Sequence, residues 1–353
     1  MYEYILEGII LCFLCVFGIF ANAVAMLYFG KQKLRKVTFY GFMFALSTID
    51  LFFNVTCLCS FSISELTSQN CKGFTSDDCN VSKVFWQSLV WLVPLSNTFR
   101  TGSIYFTLAL SIERYLVICR PLLYNSTSWL TRWILAGCIL FPIIFNFTKF
   151  FEYEWGLGKQ LINGTLHEEQ TIIATKLLKN KAYVQIYLIW CDLIFHGLLP
   201  FTALMILNTF VLMEMKRYKK RCRGDSKEEQ KRFTEVYIAK FNIVIVILFT
   251  ACYSVHYVPV VYMCYVMIAN DEGDIVNHFD EPDWFRLMIS LSRVLEALNS
   301  SVAFAWFLFK HRLIDKLILK TKSKSFSNSQ KSTSLENNLS SSALTTSLVN
   351  KSK

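Results

Sequence analysis

The sequence predicts an all-α membrane protein: seven membrane-crossing helices in one bundle, the N-terminus outside, a short interfacial helix after the seventh crossing, and a disordered cytoplasmic tail. Three observations carry that reading. First, 54% of the 353 residues are apolar and only 18% are charged, with 31 phenylalanines; a soluble domain of that balance would expose large apolar patches. Second, the apolar residues gather into seven runs of membrane length, about 20 residues sufficing to cross a hydrocarbon core of ~30 Å. Third, lysine and arginine concentrate on alternate connections between those runs.

The runs are Ile5–Phe29, Val37–Ile63, Val84–Leu116, Ser128–Phe150, Tyr183–Met213, Phe241–Ala269 and Trp284–Phe309. The first is too long for a cleavable leader and has no basic residue before it, so it reads as a span that does its own targeting. The seventh is the weakest, because it carries Arg286, Arg293 and Glu296. No internal repeat is evident, which argues against a transporter built from inverted halves. With the N-terminus outside, the inner connections hold Lys31, Lys33, Arg35 and Lys36, then Arg120 and Arg132, then a dense cluster from Lys216 to Lys240. The outer segments hold Lys72, Lys83, Lys159, Lys176, Lys179 and Lys181, and the last outer loop, Asn270–Asp283, has six acids and no Lys or Arg. This asymmetry sets the orientation. It also assigns the net charge of +10 to loops at a membrane surface, among lipids, and not to nucleic-acid binding.

Past the seventh run, Leu313, Ile314, Leu317 and Ile318 recur at helical spacing, which predicts an interfacial helix over 312–320. Residues 321–353 are rich in Ser, Thr, Asn and Lys and predict a disordered tail, so the chain divides into a spanning domain, 1–320, and a tail. Most of the 12 cysteines lie inside apolar runs, where buried thiol is the ordinary reading, and none follows a zinc pattern. Asn80-Val-Ser82 and Asn163-Gly-Thr165 are glycosylation sequons in outer loops; Asn125-Ser-Thr127 faces the cytoplasm and goes unused.

Polar groups inside a span are costly, so each needs a partner or a task. Asn22, Asp50, Ser103, Asn299 and Ser300 come from four different runs and can form one polar cluster around a buried carboxylate. Glu113-Arg114-Tyr115 closes the inner end of the third run, where an arginine can meet water or a partner. In the outer half lie Arg100, Asp192, His196, Arg293 and Glu296. Helical rise puts Arg100 about four turns above Arg114, at the depth of Glu296, so these two are candidates for an ion pair. Arg293 and Glu296, three apart, are the alternative local pair. Asp192 is the candidate to receive a cationic ligand group. His196 and His256 have no neighbouring nucleophile or metal motif, which sets an intramembrane enzyme aside.

The triplet Glu113-Arg114-Tyr115, the segments Gly18-Ile-Phe-Ala-Asn22 and Leu46-Ser-Thr-Ile-Asp50, and Ser103 eleven residues before Arg114 resemble the rhodopsin-like G-protein-coupled receptors. That resemblance implies an Arg114 neutralised by Glu113 at rest and engaging a heterotrimeric G protein when active. It implies an allosteric sodium ion at Asp50, held with Asn22, Ser103, Asn299 and Ser300, and no other cofactor. It also implies receptor kinases and arrestin as partners of the tail. Four segments are similar to the invertebrate receptors for FMRFamide-type neuropeptides: Thr101-Gly-Ser-Ile-Tyr105 through Tyr115, Phe150-Phe-Glu-Tyr153, Leu199-Pro-Phe201 leading to Asn208, and Leu298-Asn-Ser-Ser-Val302. They imply an extracellular amidated peptide ligand. A receptor of the same fold for an odorant or amine is the alternative, followed by a transporter or channel.

The chain also departs from the family's pattern. Ala303-Phe-Ala-Trp-Phe307 stands where Asn-Pro-x-x-Tyr is usual. The sixth run lacks Cys-Trp-x-Pro, leaving Pro259 as the candidate kink and Tyr253 or Tyr257 as the aromatic switch. Residues 151–183 hold no cysteine, so the usual bridge from the third span cannot form. Cys71 and Cys79, the two outer-loop cysteines, are left to pair with each other or to stay reduced.

Overall fold

The computed structural model describes residues 2–33, 38–71, 80–126, 128–162, 165–221, 227–269 and 282–302. One compact unit covers Met1–Ala305. The expected interfacial helix and tail fall outside the described residues, as do Cys79 and Asn163 and the side chains of Cys71 and Asn80.

Among the described residues six helices are long and apolar enough to cross a membrane: Tyr4–Lys31, Phe39–Thr67, Phe85–Cys119, Arg132–Phe151, Lys181–Arg217 and Asn242–Met263. Residues 283–302 form the seventh helix. The outward faces show which solvent they meet. Phe13 is 71% exposed and Phe20 70%, two turns apart on the first span; Trp133 and Ile144 of the fourth are 69% and 71% exposed. A stripe of bare aromatic and aliphatic side chains on self-satisfied helices is what lipid permits and water does not.

The third span is the hub. Its helix runs for 40 residues, Asn80–Cys119, roughly 60 Å at about 1.5 Å per residue, and packs on the second, fourth and fifth spans. Two buried apolar clusters flank it. Leu11, Cys15, Phe53, Cys57, Val294 and Ala297 join the first, second and seventh spans. Ile104, Leu108, Leu204, Val246, Phe249 and Tyr253 join the third, fifth and sixth.

The sixth span breaks between Ser254 and Tyr257, where one helix ends and the next begins. Pro259 explains the position: it has no N–H for the Val255 carbonyl, and its ring crowds that carbonyl. Tighter bonds take over, from the His256 N–H to the Tyr253 carbonyl at 3.1 Å and from the Val258 N–H to the Val255 carbonyl at 3.2 Å.

The helical bundle carries an extended element outside the spans. The segment after the fourth span is an antiparallel hairpin, β1 (Tyr153–Ile162) and β2 (Thr165–Ala174), with Tyr153 opposite Ala174 and Ile162 opposite Thr165. The residues between the strands are Asn163-Gly164. That dipeptide, read above only as part of a sequon, is also the strongest short signal for a two-residue hairpin turn. The base of the hairpin is fastened by Thr175, whose N–H donates to the Glu152 carbonyl at 3.0 Å and whose hydroxyl donates to the Phe151 carbonyl at 2.6 Å.

Candidate ligand cavity and polar network

In the outer half of the bundle a cavity of about 340 Å³ opens between the second, third, fifth, sixth and seventh spans. Apolar side chains such as Phe53, Phe61, Ile189 and Phe285 form most of its wall, and Arg100, His256, Arg293 and Glu296 supply its charge. π-helical segments at Leu58–Ile63 and Val184–Cys191 border it; such wide turns are rare and occur often at functional sites.

The floor is a buried charge network. Arg100 Nη1 lies 3.2 Å from Glu296 Oε1, and both side chains are at most 10% exposed. Arg100 Nη2 lies 3.9 Å from Asp192 Oδ1. His256 sits between the acids, with Nδ1 3.3 Å from Glu296 Oε1 and Nε2 3.6 Å from Asp192 Oδ2. Lys149 Nζ is 3.9 Å from Asp192 Oδ1, and His196 Nδ1 is 2.7 Å from the same oxygen. The other ring nitrogen of His196 is 2.8 Å from the Thr101 hydroxyl, which also accepts from Asn146 Nδ2 at 2.9 Å.

This arrangement changes the role expected of Asp192. Four bases already surround it, namely Arg100, Lys149, His196 and His256, and neither Asp192 nor His196 belongs to the cavity lining. A carboxylate so occupied has little to offer an incoming cation; the acid that faces the cavity is Glu296. Arg293 does not pair with Glu296 either. It reaches across to the first span, where Nη1 meets Glu7 Oε1 at 2.8 Å and Oε2 at 2.9 Å, and its guanidinium lies over the Phe61 ring at 4.2 Å. Sequence reasoning missed Glu7, Lys149 and the part His256 plays. An acid or base inside an apolar run was the available signal for all three.

At the hairpin base, Glu152 accepts from the Tyr183 hydroxyl at 2.9 Å. Burial pushes the Glu152 carboxyl above the ordinary carboxylate value, with Lys149 and the Tyr183 donor opposing it.

Below the floor lies the polar cluster. Asn22 Nδ2 donates to the Gly18 carbonyl at 2.9 Å and to the Ser300 carbonyl at 3.1 Å. Asn54, which the sequence did not single out, donates to the Asp50 carbonyl at 2.7 Å and to the Ser300 hydroxyl. Ser301 donates to the Leu14 carbonyl at 3.0 Å. Ser103 faces the Asp50 side chain. Three buried oxygens, Asn22 Oδ1, Asp50 Oδ1 and Asn299 Oδ1, have no hydrogen-bond partner among the described residues. Each is an oxygen acceptor, the ligand type that a small hard cation takes.

At the inner end, Arg114 is 2% exposed and grips Glu113 through two bonds, Nε to Oε2 at 2.5 Å and Nη2 to Oε1 at 2.7 Å. Its guanidinium lies over the Phe39 ring at 4.5 Å. Tyr124 donates to Glu113 Oε1 at 3.4 Å. Tyr115 packs at a tilt against Phe210, with ring centroids 6.0 Å apart.

Residues 21–302 match the model of the seven-transmembrane receptors of the rhodopsin family. The chain belongs to the rhodopsin family of seven-transmembrane receptors. It is therefore a multi-pass receptor of the plasma membrane and not an enzyme. The receptor is 24% identical over 308 residues to the FMRFamide receptor of Drosophila melanogaster, an overlap of 86% of this chain and 51% of that protein. It is 24% identical over 207 residues to the FMRFamide peptide receptor frpr-18 of Caenorhabditis elegans, covering 58% of this chain and 45% of that one. The receptor thus spans about half the length of the curated relatives it matches.

Proposed function

We propose that this receptor binds an extracellular peptide with an amidated, arginine-containing C-terminus and activates a heterotrimeric G protein. The observation that carries the reading is the cavity floor, where the acid open to the ligand, Glu296, is held by Arg100 at 3.2 Å. A ligand guanidinium exchanges with Arg100 for that carboxylate, with the charge-assisted bonds such pairs make. The names of the two curated relatives support the same ligand class. The cavity lies at the lower end of the usual ligand range, which suits the end of a peptide and not its length.

In this reading Arg114 leaves Glu113 on activation and meets the G protein, and Asp50 with Asn22, Ser103, Asn299 and Ser300 holds a sodium ion that favours the resting state. Asn80 and Asn163 carry glycans, Cys71 and Cys79 pair, and the tail serves receptor kinases and arrestin.

The test is calcium and cAMP signalling in cells expressing the receptor, challenged with amidated RF-type peptides and their free acids. An amide-dependent response supports the proposal. Silence across the panel with confirmed surface expression overturns the peptide reading and moves the search to small amines and odorants.

A further inference from the structure

We infer that Glu7, at the outer end of the first span, sets the receptor's preference for a neutral carboxamide terminus over a free carboxylate by neutralising Arg293 from behind. The inference rests on the peptide reading above and assigns its selectivity to a residue outside the cavity wall.

Arg293 lines the cavity, and its side chain is 33% exposed, against 11% for Glu7. The clamp is tight. Nη1 donates to both Glu7 oxygens, at 2.8 and 2.9 Å, and the Ser290 hydroxyl donates to Oε1 at 2.6 Å. Of the hydrogen-bonding nitrogens of Arg293, Nη1 is the one engaged among the described residues. The guanidinium therefore keeps donors for the cavity while its charge is matched behind it.

The second arginine at the cavity is matched too, Arg100 by Glu296 at 3.2 Å. A free carboxylate entering this space finds Arg293 already neutralised by Glu7, and Arg100, once the ligand guanidinium has taken Glu296, still matched by Asp192 at 3.9 Å. A carboxamide finds what it needs: its carbonyl accepts from Arg293, and its N–H groups donate to acceptors such as Ser96 or Asn97 on the wall. Selection against the acid thus comes from charge balance, and Glu7 is the weight in that balance that can be removed without touching the wall. Taking away its charge leaves Arg293 uncompensated and attractive to a carboxylate. Taking away the charge of Arg293 instead leaves Glu7 uncompensated and repulsive to one.

The two substitutions therefore shift selectivity in opposite directions, although both break the same tie between the first and seventh spans. The experiment measures calcium dose–responses to matched amidated and free-acid RF-type peptides for the wild type, Glu7→Gln, Glu7→Asp and Arg293→Gln, with surface expression read from an N-terminal tag. Glu7→Gln should narrow the amide-to-acid potency ratio by about tenfold, mainly by improving the acid, and Arg293→Gln should widen it. Glu7→Asp, which keeps the charge, should hold the wild-type ratio. Ratios that stay fixed, or move the same way in both charge-removing variants, show that the clamp only ties two helices, and overturn the inference while leaving the peptide reading intact. Silence of the wild type towards every peptide refutes that reading and the inference with it.

Discussion

Exchanging the charges of Arg100 and Glu296 should fail to restore the receptor, although the two side chains form an ion pair. If they interacted only with each other, Arg100→Glu combined with Glu296→Arg would rescue either single variant. The geometry says otherwise, because Arg100 serves two acids at almost equal distance, 3.2 Å to Glu296 and 3.9 Å to Asp192. At an effective dielectric of about 20 the gross attractions are about 5 and about 4 kcal/mol, before the desolvation that offsets much of both. An acid at position 100 turns the second attraction into a repulsion of similar size. The exchange therefore gains back one contact and inverts the other. Single neutralisations, Arg100→Gln or Glu296→Gln, each leave a buried charge short of a partner, a loss of roughly 3–5 kcal/mol in comparable buried pairs. The double neutral variant removes one charge of each sign and keeps the network balanced, so it should be more stable than either single. The assay is the thermal midpoint of the purified receptor in detergent, with surface expression as the cellular check. The expected order is wild type, double neutral, single neutrals, exchange. An exchange variant that matches the wild type would show that Asp192 does not act on position 100. Additivity of the single variants to within ~0.5 kcal/mol would show that the pair is not coupled at all.

Arg114→Ala should abolish agonist-driven nucleotide exchange while leaving surface expression intact; unchanged exchange in membranes would remove Arg114 from the coupling role. Asp50→Asn should erase any difference in agonist affinity between sodium and a large organic cation, a difference that persists if the unpaired oxygens around Asp50 do not hold the ion. Gly18→Ala should lower the yield of folded receptor by about 1–3 kcal/mol of overpacking, because a Cβ there lies 2.6 Å from Asn54 Oδ1 and presses on the Ser301 hydroxyl; full expression with unchanged thermal stability would contradict that packing. Burial raises the Glu152 carboxyl, so its contribution to folding is fully present below the ordinary carboxylate value and is lost as pH rises through the raised one. Glu152→Gln should flatten the part of the thermal-stability profile that begins at the ordinary carboxylate value and extends above it, and an unaltered slope would assign it to other groups.

The bundle was legible in the sequence because its cause is local. Lipid demands about 20 apolar residues per crossing, and each run announces itself within its own window. The pairing of the charges was legible only where spacing on one helix could be carried to another at the same depth, as with Arg100 and Glu296. Glu7 and Arg293 are 286 positions apart, and nothing within either window says that they meet. The local alternative, Arg293 with Glu296, failed because Glu296 is already held by Arg100 and His256 on the far side. The hairpin was missed for the opposite reason. Its signal, Asn163-Gly164, was present and local, but the same dipeptide was read as part of a glycosylation sequon in an outer loop.

The length and continuity of the third span bear on how the two ends of the receptor are joined. Arg100 and Arg114 stand on one unbroken helix, about 21 Å apart at about 1.5 Å per residue. Each is fixed by acids, but of different kinds. Arg114 is held by Glu113, its neighbour on the same helix, whereas Arg100 is held by Asp192 and Glu296, from the fifth and seventh spans. The outer contacts therefore set the position of the third span relative to its neighbours; at the inner end the Arg114–Glu113 pair itself travels with the helix, and its contacts to the Phe39 ring of the second span and to Tyr124 are the ones a shift changes. A ligand that competes for Glu296 acts on the first kind of contact. In the proposed reading such a ligand reseats the third span among the helices packed on it, and the break in the sixth span beside Tyr253 and Phe249 is the place for a second element to bend. Coupling between the ends then needs no chain of intervening side chains, only two elements with alternative seatings that both sites bias.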